Sequence, residues 1–242
     1  GVELVAELQE FIRVTFSHYY TKEVTEDASV VLIEKGEELM SSFGAKMRKK
    51  SSEILQKKGV KVMLNTRVKA VDVSKVVLDN GASISAETAI WVAGIKPANL
   101  KFDLPVEKSS DGRLVVNEYL QLKGHEEIFA IGDIASFVQK NAPLPALAQV
   151  AQKESKRVAK NIKLLIGGKR PKPFFYHHSG NLSSLGHFMA IGEIAGFTFW
   201  GHSAWWFWRI VHLFKLLSPR KKMEVALDWT INLFSPRDIS QI

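Results

Sequence analysis

The sequence predicts an α/β protein that ends in amphipathic segments, and three features support this prediction. A strand–helix–strand unit lies near the start, a later buried strand ends in Gly-Asp ahead of a long helix, and Trp-rich amphipathic segments follow. With 46% hydrophobic and 24% charged residues, the 242-residue chain is long enough for one large domain or two small ones. We find no internal repeat, which argues against a solenoid architecture.

The opening elements alternate between helix and strand. Apolar residues recur at helical spacing in the first segment, and the two strand candidates are short, apolar and β-branched. The predicted elements are a helix over 4–20, a strand over Ser29–Glu34, a helix over about 44–58 that ends at Gly59, and a strand over Val60–Asn65.

A β-meander is predicted next. Val68–Leu78 and Ala82–Trp91 flank Asp79-Asn80-Gly81, whose residues tolerate the positive φ angles of a hairpin turn. Further along, the pattern predicts a short hairpin at Asp111-Gly112 and a buried strand over Ile128–Ile131.

The remaining elements are a long helix, a region of strands and turns, and two amphipathic helices. These are predicted over Leu147–Leu165 (ended by Gly167-Gly168), over Phe174–Trp200, and over about 203–217 and 221–234, with Ser218-Pro219 separating the last two. No apolar run reaches the roughly 20 residues that cross a bilayer, because Arg209, His212 and Lys215 interrupt the longest one, Ala204–Leu217.

Charge and cysteine content exclude some classes of function. The absence of cysteine rules out disulfide scaffolds, thiolate metal sites and dithiol redox chemistry. The net charge of +8 suits nucleic acid, anionic lipid or an anionic substrate. Several basic residues lie beside the aromatic-rich stretch 197–234, which favours a lipid surface, and we find no recognisable nucleic-acid-binding module. His177 and His178 have no partners at metal-ligand spacing, so no metal site is predicted.

The first strand–helix–strand unit has features of a dinucleotide site. Gly1, directly before a helix, suits the last glycine of a G-x-G-x-x-G turn, where the helix start faces a pyrophosphate. Glu34 at the end of the next strand suits an acid that binds the ribose hydroxyls of NAD. An acid there disfavours a 2′-phosphate and so favours NADH over NADPH. The alternative for Glu34 is a solvated side chain at a strand end.

Gly132-Asp133, at the end of the buried strand, resembles the second FAD motif of flavoproteins with two dinucleotide domains, in which the Asp holds the ribityl chain. The alternative is an Asp that caps the following turn. With the upstream unit, this resemblance predicts two Rossmann-like dinucleotide-binding domains, both incomplete, followed by an amphipathic membrane-anchoring region.

The helix after Pro145 narrows the resemblance to type II NADH:quinone oxidoreductases. In that family a helix beginning A-Q-x-A-x-Q sets its start against the flavin and its glutamines near the quinone. Ala148, Gln149 and Ala151 match, whereas Lys153 stands at the second glutamine position with Gln152 beside it. The resemblance implies that Ala148 and Gln149 contact FAD, and that Gln149, Gln152 and Lys153 have catalytic roles. The alternative is an ordinary solvated helix start.

The same resemblance gives roles to two more residues. It places Glu3 near the junction of nicotinamide and flavin, as a catalytic residue. It also makes Gly94, in the Ala93-Gly94-Ile95 turn, a contact for NADH.

The C-terminal part resembles the family's membrane anchor, including its ending Asp228-Trp229…Leu233-Phe234-Ser235-Pro236-Arg237-Asp238-Ile239-Ser240. His212 stands where some relatives carry a Tyr at the quinone entrance, and a lipid headgroup contact is its alternative. Arg209, His212 and Lys215 are expected to form a basic stripe beside the Trp cluster. The residues expected at the membrane are Trp205, Trp206, Trp208, Arg209, Lys215 and Trp229. A dimer interface or a core helix is the alternative for this segment.

The resemblance implies a homodimeric, non-proton-pumping enzyme that passes a hydride from NADH to FAD and then electrons to a membrane quinone. It implies peripheral attachment to anionic lipid, on the cytoplasmic face of a bacterial-type inner membrane or the matrix-type face of an organelle. The expected limits are 1–100 for an NADH domain lacking its first strand, 101–175 for the second half of an FAD domain, and 176–242 for a β-hairpin and anchor helices. We therefore expect residues 1–242 alone to bind FAD poorly or not at all.

Three alternatives compete with this interpretation. Sulfide:quinone oxidoreductases need cysteines, which the chain lacks. Soluble disulfide reductases end in a dimerisation domain and not in a Trp-rich amphipathic segment. A catalytically inactive membrane-binding or scaffolding fragment of the same family remains open, with Lys153 as the feature in its favour.

Overall fold

The computed structural model describes residues 1–233 and separates into two compact units. Unit 1 consists of Gly1–Val92 and the described residues from Ser179 onward, and unit 2 of Ala93–His178. The helices are α1 Val2–Glu10, α2 Lys22–Asp27, α3 Ala45–Lys57, α4 Ala148–Ile166, α5 His202–Lys215 and α6 Pro219–Ile231. The strands of unit 1 are β1 Val31–Ile33, β2 Lys61–Met63, β3 Val68–Val71, β4 Lys75–Leu78, β5 Ser83–Ser85, β12 Asn181–Ser184, β13 Ala190–Ile194 and β14 Phe197–Gly201. Those of unit 2 are β6 Leu114–Val115, β7 Gln121–Leu122, β8 His125–Phe129, β9 Ala135–Ser136, β10 Val138–Gln139 and β11 Ala142–Pro143.

The predicted strand–helix–strand unit is confirmed. β1 and β2 pair in parallel, with Val31 opposite Lys61, and α3 makes the connection between them. Gly59, with a φ of +86°, follows α3 in the left-handed conformation that a glycine after a helix adopts readily. At the other end of α3, the Gly44 N–H donates to the Glu193 carboxylate of β13 at 2.7 Å.

The opening helix has the predicted position but not one uniform geometry. It is α-helical as far as Glu10, passes through a π turn over Phe11–Thr15, and ends in a 3₁₀ turn over Phe16–His18. The Val14 carbonyl accepts a bond from the Ser17 hydroxyl and another from the His18 ring, both at 2.7 Å. Side chains thus satisfy a main-chain acceptor where the regular helix breaks down.

The β-meander is confirmed as the sheet β3-β4-β5, but the predicted strand limits are wrong. The run Val68–Leu78 is two strands, because the Asp72 carboxylate accepts the Val73 N–H at 2.8 Å and turns the chain there. Of Ala82–Trp91, only β5 is a strand. The C-terminal hairpin likewise has one strand more than expected, in the antiparallel order β12-β13-β14.

The core of unit 1 brings together residues from the first part of the chain and from the C-terminal sheet. Met47 and Leu55 of α3 are fully buried together with Leu185 and Ile191, which lie beside and within the C-terminal sheet. Residues far apart in sequence therefore share one apolar cluster, which fixes the C-terminal sheet against the strand–helix–strand unit.

In unit 2 the helix α4 packs over short strands. β6 pairs with β9 in parallel and β7 with β8 antiparallel, around a core that includes the edge-to-face pair Phe137 and Phe174 at 5.3 Å. Asn161 of α4 is fully buried and bonds both the N–H and the carbonyl of Lys172 at 2.9 Å. These two bonds connect α4 to the segment that follows it.

Ser218 and Pro219 separate the last two helices, as predicted. Ser218 caps α6 by accepting the Lys221 N–H at 3.5 Å, and Pro219 takes the first helical position. Within residues 1–233, no helix is long and apolar enough to cross a membrane. The part of the predicted ending from Phe234 to Ser240 lies outside the described residues. The mixed α/β class is confirmed, while the membrane-anchoring role of the last helices stays a prediction.

Candidate functional site

The Gly132–Asp133 turn lies between β8 and β9 in unit 2. Gly132 has a φ of +72°, and a Cβ added to it would lie 3.5 Å from the Ala151 Cβ on α4. Its N–H donates to Glu154 Oε2 at 2.6 Å, so the turn is bonded to the helix behind it. Asp133 itself is exposed. The turn therefore presents a carboxylate to solvent from a backbone position that favours glycine.

The start of α4 faces the same region. Leu147 precedes the helix, and its carbonyl accepts the N–H groups of Val150 at 2.9 Å and Ala151 at 3.1 Å. The N–H groups of the first helical residues, Ala148 and Gln149, have no acceptor within a helix, and they carry its positive partial charge. Ala148 is exposed and Gln149 half-buried, so this end of α4 offers donors to an electron-rich ligand.

A cleft of about 200 Å³ opens beside the turn. Arg113 is fixed in it by an ion pair with Asp111 at 2.7 Å and by a bond to the Leu144 carbonyl at 3.0 Å. The Ser109 hydroxyl and Arg113 hold the pKa of Asp111 below its usual value. The residues that line the cleft are Ile95, Pro97, Asp111, Arg113, Asp133 and Ala146. One cation and two carboxylates thus meet small apolar side chains, a combination suited to a ligand with hydroxyl groups.

Glu154 is a feature that the sequence interpretation missed. It is 2% exposed, and burial raises its pKa against the lowering effects of the Gly132 N–H and of Arg113, while Asp133 adds to the rise. The signal was present, because Val150, Glu154 and Val158 share one buried helical face. An acid on an otherwise apolar stripe indicates a specific partner inside the fold.

Lys153 and the two glutamines have different surroundings. The Lys153 ammonium donates to the His177 carbonyl and lies 5.0 Å from the centroid of the Tyr176 ring. Burial raises the pKa of the Tyr176 phenol. Gln152 is exposed and Gln149 half-buried. Lys153 is thus held by protein groups in this structure, whereas Gln152 is open to solvent.

Gly94, also in unit 2, has a φ of +90°. No described atom lies within 4 Å of the place a Cβ would take there, so its backbone is accessible to a ligand.

The other predicted dinucleotide residues, Gly1, Glu3 and Glu34, lie in unit 1. A Cβ on Gly1 would lie 3.4 Å from Val92 Cγ2 and 3.7 Å from Leu32 Cδ1, so the helix start packs closely on the strand. Glu34 follows β1, is half-buried, and accepts the Gly36 N–H at 2.8 Å. Glu3 is exposed and accepts the Ser184 N–H at 3.1 Å. The role of these residues in binding a dinucleotide stays a prediction.

The predicted lipid contacts divide into buried and exposed residues. Trp205 and Arg209 are 5% and 8% exposed, so the expectation that they face lipid is wrong, and so is the basic stripe that includes Arg209. Both pack inside unit 1, because α5 lies against β13 and β14. His212 stacks on Trp208 at 4.3 Å and donates its Nδ1–H to the Trp208 carbonyl.

The outer surface of α5 and α6 is strongly apolar. The side chains that remain at least two-fifths exposed are Trp206, Phe207, Ile210, Phe214, Met223, Leu227 and Ile231, with Leu217 just after α5. Lys215 is exposed beside them, and Trp208 and Trp229 are half-buried. Within residues 1–233, no group of His, Asp and Glu is arranged to hold a metal ion.

Most of the chain is similar to proteins of known families. Residues 1–155 match the family model for pyridine nucleotide-disulphide oxidoreductases, and residues 178–238 match the NDH2 C-terminal domain. The mitochondrial internal alternative NAD(P)H-ubiquinone oxidoreductase A1 of Arabidopsis thaliana is 31% identical, over 100% of this chain and 51% of that protein. The type II NADH:quinone oxidoreductase Ndh of Mycobacterium tuberculosis is 28% identical, over 98% of this chain and 53% of that protein.

Among solved structures, NDH2 of Plasmodium falciparum in complex with NADH has the same fold, with a TM-score of 0.90. It is 19% identical over 99% of this chain and 65% of that one. The chain spans about half the length of the curated relatives it matches. Because the first of these family models covers well over half of its residues, the chain belongs to the pyridine nucleotide-disulphide oxidoreductase family.

Proposed function

We propose that this chain is part of a flavoprotein that oxidises NADH and reduces a membrane quinone without pumping protons. The observation that carries the proposal is the cleft of unit 2, in which Asp133 on a glycine turn lies beside Arg113 and near the start of α4. In a chain of this family, such a cleft suits a cofactor that combines hydroxyl groups with an electron-rich ring.

The residues present fit FAD. The exposed Asp133 carboxylate accepts bonds from ribityl hydroxyls, and Gly132, with its φ of +72°, adopts the backbone conformation of the turn that presents it. The N–H groups of Ala148 and Gln149 favour negative charge on the ring, because they form the positive end of α4. When bound, FAD supplies the acceptor of the hydride and the donor of electrons to the quinone.

The residues of unit 1 fit NADH. Gly1 brings the start of α1 close to β1, which leaves the helix N-terminus for a pyrophosphate. Glu34 accepts bonds from ribose hydroxyls and repels a 2′-phosphate, so NADH is preferred to NADPH. Glu3, held by the Ser184 N–H, orients the nicotinamide end. Gly94 belongs to unit 2, and the resemblance to the family is the ground on which we keep its open backbone as an NADH contact.

For the quinone, the proposal assigns the side-chain amides of Gln149 and Gln152 as donors to its carbonyl oxygens. Lys153 takes the place of the family's second glutamine. Its ammonium donates one N–H to the His177 carbonyl and has two further N–H donors, one of which is assigned to the quinone. His212 is the proposed entrance residue, and its fixed tautomer leaves Nε2 as the atom that meets the ligand.

The exposed apolar surface of α5 and α6 supports peripheral attachment to an anionic membrane and a homodimer. Moving side chains such as Phe214, 72% exposed, and Leu217, 99% exposed, out of water lowers the free energy. The proposed location is the cytoplasmic face of a bacterial-type inner membrane or the matrix-type face of an organelle. We retain 1–100, 101–175 and 176–242 as the proposed NADH, FAD and anchor regions.

The test uses the full protein that carries this sequence, bound to anionic liposomes and supplied with FAD, NADH and a short-chain quinone. Asp133→Ala is expected to remove bound FAD and quinone-dependent NADH oxidation together. Asp103→Ala is the matched control, because Asp103 is exposed in the same unit but does not line the cleft. A wild-type protein that binds lipid, holds no flavin and oxidises no NADH would support the inactive scaffolding alternative.

A further inference from the structure

A buried carboxylate lies behind the turn that presents Asp133. Glu154 is 2% exposed, and its Oε2 accepts the Gly132 N–H at 2.6 Å. A void of about 10 Å³ beside it is lined by Glu154, Gly132, Arg113 and Ala151 among others, and has room for roughly one water. The carboxylate is thus fixed from the cleft side by the backbone of the turn itself.

Burying a carboxylate is costly unless a hydrogen bond compensates it. The charged groups that influence Glu154 are Arg113, which favours the ionised form, and Asp133, which disfavours it. Val150 and Val158 occupy neighbouring positions on the same helical face with apolar side chains. An apolar residue at 154 would complete that stripe, but it would leave the Gly132 N–H without its acceptor.

The bond fixes a backbone conformation that matters for the cleft. Gly132, with its positive φ, is the pivot of the turn, and Asp133 is the next residue. Because the Glu154 bond fixes the Gly132 N–H, it also fixes the direction in which the chain presents Asp133.

We propose that Glu154 is a positioning residue for the flavin: by holding the Gly132 N–H, it keeps the turn in the conformation that directs the Asp133 carboxylate to the ribityl hydroxyls. This inference rests on the proposed function, since it assigns the ligand of Asp133. What matters is the reach of the side chain to Gly132, and the charge is secondary.

Two conservative variants of the full protein separate reach from charge. Glu154→Gln keeps the length and an acceptor oxygen but removes the charge, and it is expected to bind FAD within about threefold of wild type. Glu154→Asp keeps the charge but is one methylene too short for the bond. Its dissociation constant for FAD is expected to rise about tenfold or more, the effect of one hydrogen bond to a charged group.

Val158→Ala is the matched control. Val158 is 7% exposed, one helical turn beyond Glu154 on the same face. Its truncation is expected to lower the urea midpoint and leave the FAD dissociation constant within about twofold of wild type. FAD affinity is measured by titration of the apoprotein, with the flavin absorption spectrum recorded at each point.

The inference is overturned if Glu154→Asp binds FAD as tightly as wild type. It is also overturned if Glu154→Gln or Val158→Ala weakens FAD binding as much as Glu154→Asp does. A wild-type protein that holds no FAD overturns the proposed function together with this inference. If the wild type binds FAD, Asp133→Ala loses it, and Glu154→Asp binds FAD as tightly as wild type, only the role of Glu154 is overturned.

Discussion

The guanidinium carbon of Arg209 lies 4.0 Å from the centroid of the Trp205 ring and 4.5 Å from that of Trp229. Trp205 also stacks on the His187 ring at 5.3 Å. The cation therefore joins α5, to which Arg209 and Trp205 belong, with Trp229 on α6. A residue expected at a lipid headgroup is instead part of the interior that holds the last two helices together.

Arg209→Met is expected to lower the free energy of unfolding by about 2 kcal/mol, because a desolvated cation–π contact is lost while the apolar stem is kept. The measurement is urea unfolding followed by tryptophan fluorescence. Lys215→Met on the same helix serves as the control, since Lys215 is exposed. Equal stability of the two variants would show that the Arg209 contacts contribute little.

Phe214→Ser is expected to weaken binding to anionic liposomes about tenfold, because an exposed aromatic side chain no longer enters the lipid. Its stability in urea should be unchanged, since Phe214 is 72% exposed. Val73→Ser removes a comparably exposed side chain, 92% exposed, from the β3–β4 turn and should leave liposome binding unchanged. A similar loss in both variants would argue against a membrane surface on α5.

Gly186→Ala is expected to lower the free energy of unfolding by about 2–3 kcal/mol, because the new Cβ would lie 2.5 Å from the Glu10 carboxylate. That carboxylate accepts the His187 N–H and pairs with Lys58, so it cannot move without breaking both contacts. Gly196→Ala is the control. It has a similar φ of +84°, and no described atom lies within 4 Å of the added Cβ, so a loss of only about 1 kcal/mol is expected. Equal urea midpoints for the two variants would contradict the clash.

The pKa of Glu154 gives a pH dependence of stability with a definite sign. Because the folded-state pKa is raised above the ordinary 4.5, the folded state holds the proton more tightly than the unfolded chain. Wild type should therefore lose stability relative to Glu154→Gln as the pH rises from 4.5 through the raised pKa, and the difference should then level off. Urea unfolding of both proteins across this range, at one fixed FAD concentration, makes the comparison. A wild type that gains stability over the variant as pH rises would contradict the assignment.

Local chemistry made much of the chain predictable. The strand–helix–strand unit follows from short β-branched runs and from the glycine after α3, and the α5–α6 boundary from Ser218-Pro219. These signals lie within a few residues of the feature they produce. The turn at Asp72 was missed although it is equally local. The bond from the Val73 N–H to the Asp72 carboxylate competes with a continuous strand pattern that is stronger over the whole run.

By itself, the sequence determined the α/β class and the order of most elements, because these depend on propensity and on spacing along the chain. Resemblance to a family singled out Gly132, Asp133 and Gln149, and their roles stay predictions. The tertiary structure alone decided which side chains are buried: Arg209 lies among tryptophans, and Glu154 reaches back 22 residues to Gly132. Likewise, Glu10 meets His187 across 177 residues. Such contacts depend on how distant segments pack, and burial then changes the free energy of a charge by more than any local preference does.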